Sequence, residues 1–568
     1  MQEGNLKLMC FIPVIGSFNK IRRSEYMAMN SLNTSEDEEG MLIDFDGFPI
    51  KDDPIGYPDL KVVVIPQHPP KVTITNDTFS HWSGALQTLW DFLGNNVMAP
   101  IGIFKQPWVR PGPVWRGTWL WDNAFHSKIW SLTNFELARY ILDMHMSFQF
   151  LKEWEDTDNY GRVPHSILTN SISNWTQPPL MAWAYWELFK KNGEISMIKN
   201  AFSPLFSFHL WLNQNRDLNK DGLYSWIHGF ESGLDNAPRY DSISPKECNA
   251  VDLSCCVSVQ LRSLVYMSEI LKDDVSKRNL EARKQELDSW INTDLWDDAT
   301  GFYYDKTFTG ELVGPKMITG WYPLFAGIVP KDRLAGYLKH LTDKREFWTE
   351  FPVPSVARDE EEFDLEMDMW RGPTWINSNY MIIKGLKQYG FRQVPGELAY
   401  KTVKTVFNIF NEREMFYEYY GSLGNDKIED FARKGEFNGP RQYFIGWTGL
   451  VANLLLEDII GLETQFDSIL INPSTSATFV KELGPNHING RLPRIKGWDQ
   501  DLINFKVTFK PKNLIEYELE LTKPMDVLVV DFMTKEKLYT GDDVDIIQIE
   551  VENNKDTISI LSNTPEKI

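Results

Sequence analysis

Between residues 78 and 465, apolar positions recur at steps of three and four, the spacing of helices that bury one face. In "NFELARYILDMHMSFQFL", Leu137, Ile141, Met144, Phe148 and Leu151 share a face, and Asn134 stands where an N-cap belongs. "PLMAWAYWELFKKNG" puts Pro179 near a helix start and Gly193 after a basic end. "GWTGLVANLLLEDIIG" predicts another helix, with Trp447, Leu450, Val451, Leu454 and Leu455 on one side. Long polar and aromatic connections separate these helices. They predict a helical toroid, not a compact bundle, with the loops at one end gathered into a cleft.

The pattern changes on both sides of this region. After residue 466, "NFKVTFK", "LIEYELELT", "MDVLVVDFM" and "IIQIEVENN" alternate apolar and polar residues, as half-buried strands do. Residues 466–568 are therefore expected to form a C-terminal antiparallel β domain. Residues 1–77 are irregular, with an acidic "SEDEEGMLIDFD" and two strand-like runs, "KVVVI" and "KVTIT", and are read as an N-terminal arm or small β layer. Residues 78–465 are the expected helical domain.

Composition narrows the chemistry. The chain has 568 residues, enough for two or three domains, and its 21 Trp and 34 Phe exceed what core packing ordinarily calls for. Flat apolar faces with a polar edge suit sugar rings, so a carbohydrate cleft competes with an aromatic core as their explanation. A net charge of −21 without a basic stripe argues against nucleic acid. Cys10, Cys248, Cys255 and Cys256 have neither a metal-ligand spacing nor a disulfide framework, which points to a reducing, cytoplasmic setting. No apolar run reaches the roughly 18 residues of a membrane span. The opening "MQEGNLKLMCFIPVIGSFNK" lacks a small-residue cleavage pattern, so it makes a poor signal peptide and leaves a secreted or periplasmic protein as the alternative.

Four stretches could carry chemistry. "WRGTWLWDNAFH" sets Asp122 beside Trp115, Trp119 and Trp121; it is either a grip on sugar hydroxyls or an aromatic knot with Asp122 capping a helix. "HGFESGLDNAPRYD" offers Glu231, Asp235 and Asp241, any of which could become an acid near neutral pH if desolvated, or could merely pair with Arg239. "MWRGPTWINSNY" brings Trp370, Arg371, Trp375, Asn377 and Asn379, and "REMFYEYYGSLG" sets Glu418 among four aromatics. Gln177 in "NWTQPPL" is a lesser polar candidate. Asp217, Asn219, Asp221 and Gly222 match half of a calcium loop, but His228 stands at the twelfth position where an acid is required, so a side-chain-bonded turn is expected. Two carboxyl groups flanking a glycosidic bond are the minimum equipment for its hydrolysis.

"GTWLWDNAFH", "NWTQPPL", "ESGLDNAPRY", "MWRGPTWINSNY", "FYEYYGSLG" and "IGWTGLVANLLLEDIIG" occur in the order seen in glycoside hydrolase family 63. Over about residues 80 to 465 the chain resembles that family, including its bacterial mannosylglycerate and glucosylglycerate hydrolases and, more distantly, trehalases. The resemblance implies an (α/α)6 barrel, or six-hairpin toroid, and an inverting exo-α-glycosidase with no metal and no cofactor. By motif position Asp235 matches the general acid and Glu418 the general base. Asp122 matches the carboxylate that holds hydroxyls of the terminal sugar. Trp119, Trp121, Gln177 and Trp375 match its walls, with Phe230, Glu231 and Arg371 as further expected substrate contacts. Phe230 and Met369 depart from the aromatic residues of some relatives, which leaves the sugar, glucose or mannose, and its aglycone open. A catalytically inactive carbohydrate-binding barrel and a phosphorolytic enzyme with a cationic pocket beside Glu418 are the alternatives.

Overall fold

The computed structural model describes residues 60–65, 67–151, 158–424, 427–493, 502–531, 534, 536–553 and 558–562. Residues 1–59 of the expected arm, 1–77, with its apolar start and acidic run, lie outside the described residues.

The helical region comprises α1 (His81–Gly94), α2 (Leu120–Trp130), α3 (Phe135–Met146), α4 (Met181–Asn192), α5 (Ile195–Asn215), α6 (Val251–Ile270) and α7 (Asp274–Asp294). It continues with α8 (Tyr322–Ala326), α9 (Lys331–Thr342), α10 (Ile376–Gln388), α11 (Gln393–Arg413) and α12 (Leu450–Asn453). Six of these form a closed circuit: α2 packs on α4, α4 on α6, α6 on α8, α8 on α10, α10 on α12, and α12 back on α2. Their sequences explain the inner position. Every residue of α2 is buried, whereas the outer α7 buries only Leu280, Leu287 and Ile291. A helix covered on all sides belongs inside, and one with a narrow apolar stripe belongs outside.

The predicted punctuation is present in part. Asn134 accepts a hydrogen bond from the Leu137 amide at 2.8 Å, and Gly193 ends α4 in the left-handed conformation. The predicted face of α3 is cut short, because the helix ends at Met146 and leaves Phe148 and Leu151 beyond it. There Phe150 exchanges backbone hydrogen bonds with Gly161 and Arg162, which turns the chain away, and Leu151 is exposed. Trp447 likewise precedes α12 instead of lying on its face.

After Asn453 the chain continues as a π-helical turn, Leu454–Ile459, carrying buried Glu457 and Asp458. Lys128 of α2 meets Glu457 at 3.1 Å and Glu187 of α4 at 3.2 Å. Lys384 of α10 lies 3.1 Å from Glu457 and 2.8 Å from Asp458, and Lys387 lies 2.7 Å from Asp458. One buried ionic network thus ties together four members of the inner circuit.

The β region is one antiparallel sheet of eight strands: β1 (Lys71–Ile74), β2 (Leu462–Thr464), β3 (Ser468–Ile471), β4 (His487–Pro493), β5 (Leu502–Lys510), β6 (Leu514–Asp531), β7 (Lys537–Glu552) and β8 (Ile558–Ser562). Its order is β1-β4-β5-β6-β8-β3-β2, with β7 on the other side of β6. Expectation and structure differ at the N-terminal side. "KVTIT" is not part of a separate layer, because Lys71 pairs with Arg491 and Ile74 with Ile488 at the edge of the C-terminal sheet. "KVVVI" forms only an isolated bridge, Val62 to Met98. Among the described residues no helix is long and apolar enough to cross a membrane, and Cys248, Cys255 and Cys256 are buried free thiols.

Glu457→Gln leaves Lys128 and Lys384 facing a neutral amide in the interior. It is expected to lower stability by about 3–5 kcal/mol, read as a reduced denaturant midpoint. Exposed Glu281→Gln on α7 is expected to change it by less than about 0.5 kcal/mol.

Candidate active site

A pocket of about 570 Å³ opens among the loops that join the inner helices. Its walls are aromatic (Trp115, Trp119, Trp121, Phe230, Trp370, Trp375, Phe444 and Trp447), and three carboxyl groups, Asp122, Asp235 and Glu418, face into it. Trp370 and Trp375 stack at 3.7 Å, almost parallel, and the Trp375 indole N–H donates to the Met369 carbonyl at 2.9 Å. Trp447 packs against both Trp121 and Trp375.

Asp122 enters on the first turn of α2. The short strand Gly117–Trp119 pairs with Ser166–Leu168, and the Leu120 amide donates to the His165 carbonyl at 2.9 Å, which fixes where the helix begins. Asp122 does not cap the helix; Trp119 holds the cap position. The Gln177 carbonyl oxygen accepts the Trp121 amide at 3.3 Å, so Gln177 lines the pocket and braces the same turn. Burial pushes the Asp122 carboxyl up to about 8, and the nearby Glu418 adds to the rise.

Asp235 sits on the loop between two short 3-10 turns, Gly229–Ser232 and Pro238–Tyr240. Glu231 is fully buried and faces away from the pocket. Its carboxylate takes Arg216 on both oxygens, at 2.5 and 3.1 Å, and also accepts the amides of Thr176 and Ile227. Glu231, expected as a substrate contact, lies outside the pocket lining, and with its acceptor sites filled it anchors the loop. Arg239 bridges Asp252 at 2.6 Å and Asp305 at 2.9 Å, so it does not pair with the loop's own acids. Asp241 pairs instead with Arg371, which is not among the residues that line the pocket. Asn236 accepts the Trp370 amide at 3.0 Å and donates to the Asp368 carbonyl at 3.2 Å. Gly233 has φ +75°, and a Cβ there would come within 2.5 Å of the Trp121 ring, so the loop can lie on that indole only with glycine.

Asp235 is thus the loop's acid that faces the cavity. Desolvation raises its carboxyl to about 7; Arg433 pulls the other way, while Glu418 and Asp122 push with the burial. Opposite, Glu418 is held by its backbone: its amide donates to the Arg441 carbonyl at 3.0 Å, and its carbonyl accepts the Trp447 indole N–H at 2.8 Å. Its carboxylate faces the Arg433 guanidinium at 3.4 Å and the Arg441 amide at 3.4 Å.

Sequence reasoning missed Arg433 and Lys434, which lie in "DFARKGEFNGP", outside the motif stretches that singled out the other pocket residues. It read Trp447 as a helix-face residue because its spacing matched the following leucines. His165 also lines the pocket, where burial lowers its imidazole to about 3 and keeps it neutral. The half-calcium loop is a bonded turn: Asp217 accepts the Gly222 amide, and Asp221 accepts the Leu223 amide and the Asn249 side chain. Among the described residues no cluster of three or more His, Cys, Asp or Glu is placed to hold a metal.

Residues 116–438 match the family model described as "Mannosylglycerate hydrolase MGH1-like glycoside hydrolase domain". A mannosylglycerate hydrolase of Thermus thermophilus is 27% identical over 408 residues, which are 58% of this chain and 94% of that protein. A probable mannosyl-oligosaccharide glucosidase of Schizosaccharomyces pombe is 28% identical over 252 residues, 41% of this chain but only 30% of that protein. The fold resembles the crystal structure of the glycoside hydrolase family 63 mannosylglycerate hydrolase of Thermus thermophilus in complex with glucose. That likeness has a TM-score of 0.53 and 23% identity, and covers 64% of this chain and 98% of the other. With the matched region spanning all three pocket carboxyl groups, the chain belongs to the mannosylglycerate hydrolase MGH1-like family of glycoside hydrolases.

Proposed function

We propose that the protein is an inverting exo-α-glycosidase that removes a terminal α-linked glucose or mannose, with Asp235 as general acid and Glu418 as general base. The observation that carries this reading is two carboxyl groups in one aromatic pocket, with Asp235 raised to about 7 by desolvation and Glu418 faced by a guanidinium. A carboxylic acid with that value is half protonated near neutral pH and can donate to the leaving glycosidic oxygen. A carboxylate across the sugar ring can take a proton from water as that water attacks the anomeric carbon. In inverting enzymes the two groups stand roughly 6.5–9.5 Å apart to admit the water, and the product has the opposite anomeric configuration.

Asp122 is assigned to hydroxyls of the terminal sugar, with Trp119, Trp121, Gln177 and Trp375 around it and Phe230 toward the leaving group. The closed circuit of α2, α4, α6, α8, α10 and α12 supports an (α/α)6 toroid as the catalytic domain, about residues 78–465. The eight-stranded sheet supports a β domain that starts near Leu462 and recruits Lys71–Ile74 from the other side of the barrel sequence. Mannosylglycerate hydrolases and a mannosyl-oligosaccharide glucosidase among the relatives support a glycerate or a sugar as the aglycone. A second reading has one observation in its favour: Arg433 beside Glu418 is a cation where phosphorolysis would need one. Turnover that requires added phosphate would favour that reading.

Asp235→Asn and Glu418→Gln are expected to lose nearly all turnover while staying folded, measured across trehalose, kojibiose, nigerose and the two glycosylglycerates. Full activity of either variant on a substrate of the wild type contradicts the assignment. Since Asp235 must carry the proton, kcat/KM is expected to fall as pH rises through about 7; a profile flat to pH 9 would remove Asp235 from the role. Asp122 has a folded pKa raised to about 8, so its stabilising contribution is present at low pH and lost as pH rises through about 8. Asp122→Asn is therefore expected to melt higher than wild type at pH 9, to converge with it near pH 3, and to lose sugar turnover. A lower melting temperature at pH 9 contradicts this account of its burial.

A further inference from the structure

The turn Arg433–Glu436 puts Arg433 in the pocket lining and sets a second cation, Lys434, against Asp235, which the catalytic reading does not use. The Lys434 ammonium lies 3.1 Å from Oδ2 of Asp235 and 4.3 Å above the Phe230 ring. Its position is built by the backbone. Lys434 has a left-handed φ of 53°, and the amides of Lys434 and Gly435 donate to the two oxygens of Asp368 at 2.5 and 2.9 Å. Asp368 also accepts Asn236, the residue after Asp235, through its carbonyl. One aspartate therefore registers the acid loop against the lysine turn. An unfavourable backbone conformation for a lysine, stapled beside a pocket carboxyl, is strain retained at a working position.

We propose that Lys434 is a positioning residue for Asp235: its ammonium fixes Oδ2 and limits how much of the proton Asp235 retains, and so sets the upper pH edge of turnover. This inference rests on Asp235 being the general acid. Other charged groups acting on Asp235 are Arg433 from the same turn, Glu418 from the facing segment and Asp122 from α2; the pocket's His165 is neutral. Lys434 itself is lowered to about 7 by burial and by Arg441 beside it, so it titrates in the same range as its partner. The direction of the effect survives that coupling. When Lys434 is neutral, Asp235 sees the same absence of charge as in a methionine variant. When Lys434 is charged, Asp235 is less protonated than in that variant. At every pH the neutral variant's acid is thus at least as protonated as the wild type's.

The test is the pH profile of kcat/KM for wild type, Lys434→Met, Lys434→Gln and Lys434→Arg, with mannosylglycerate and with the neutral disaccharide kojibiose as probes. An opposite charge within hydrogen-bonding reach moves a carboxyl by about 1–3 units. Both neutral variants are expected to carry the alkaline limb upward by about one pH unit or more, and Lys434→Arg is expected to keep it in place. An alkaline limb unmoved in Lys434→Met and Lys434→Gln, with Asp235→Asn inactive, overturns the role of Lys434 and leaves the acid assignment standing. A change confined to KM for mannosylglycerate also overturns it and makes the lysine an aglycone contact. Full activity of Asp235→Asn removes the acid assignment itself.

Discussion

Three carboxyl groups share one aromatic pocket, and the surrounding structure has to hold them there against desolvation and mutual repulsion. Burial raises Asp122 and Asp235 toward neutrality, and each is pushed further by Glu418. Such groups would be easily displaced if carried on free loops. The acid loop is instead anchored on one flank by Arg216–Glu231 and on the other by Arg239 between Asp252 and Asp305, all of them buried. Each anchor is a full ion pair with additional hydrogen bonds, the condition under which a buried charge is tolerated. Glu418 is fixed differently, through its backbone amide and carbonyl, and its carboxylate faces the Arg433 guanidinium and the Arg441 amide.

The helical circuit converts sequence distance into proximity. Asp122 comes from α2, Asp235 and Glu418 from two separate connections, and they meet because α12 packs back on α2 and closes the ring. The ionic network of Lys128, Glu187, Lys384, Lys387, Glu457 and Asp458 ties that closure together. Its chemistry and that of the pocket run in opposite senses. In the network each acid has a lysine and Glu457 and Asp458 are held below the usual carboxylate range, whereas Asp122 and Asp235 in the pocket are raised.

Much of this was legible in the sequence where a local rule applies. Asn134, Gly193 and the apolar face of α3 follow from capping and periodicity, and the alternating strands of the C-terminal sheet follow from a period of two. Periodicity overran where a non-local contact redirects the chain, as at Phe148 and Leu151, or where a residue at helical spacing turns into the pocket, as Trp447 does. Motif position separated Asp235 from Glu231 and Asp241, which composition alone could not rank. It could not see that Glu231 and Arg371 are taken by Arg216 and Asp241, because ion-pair partners distant in sequence leave no local signal. Arg433 and Lys434 stayed invisible for the same reason, and so did the recruitment of Lys71–Ile74 to the edge of the C-terminal sheet.

With Asp235 as acid and Glu418 as base on water, as proposed, the reaction is a single displacement, and its stereochemistry is the most direct test. Proton NMR of the first sugar released from an α-linked substrate, recorded before mutarotation, is predicted to show the β anomer. Release of the α anomer first would require a double displacement and would contradict the pairing of Asp235 as acid with Glu418 as base.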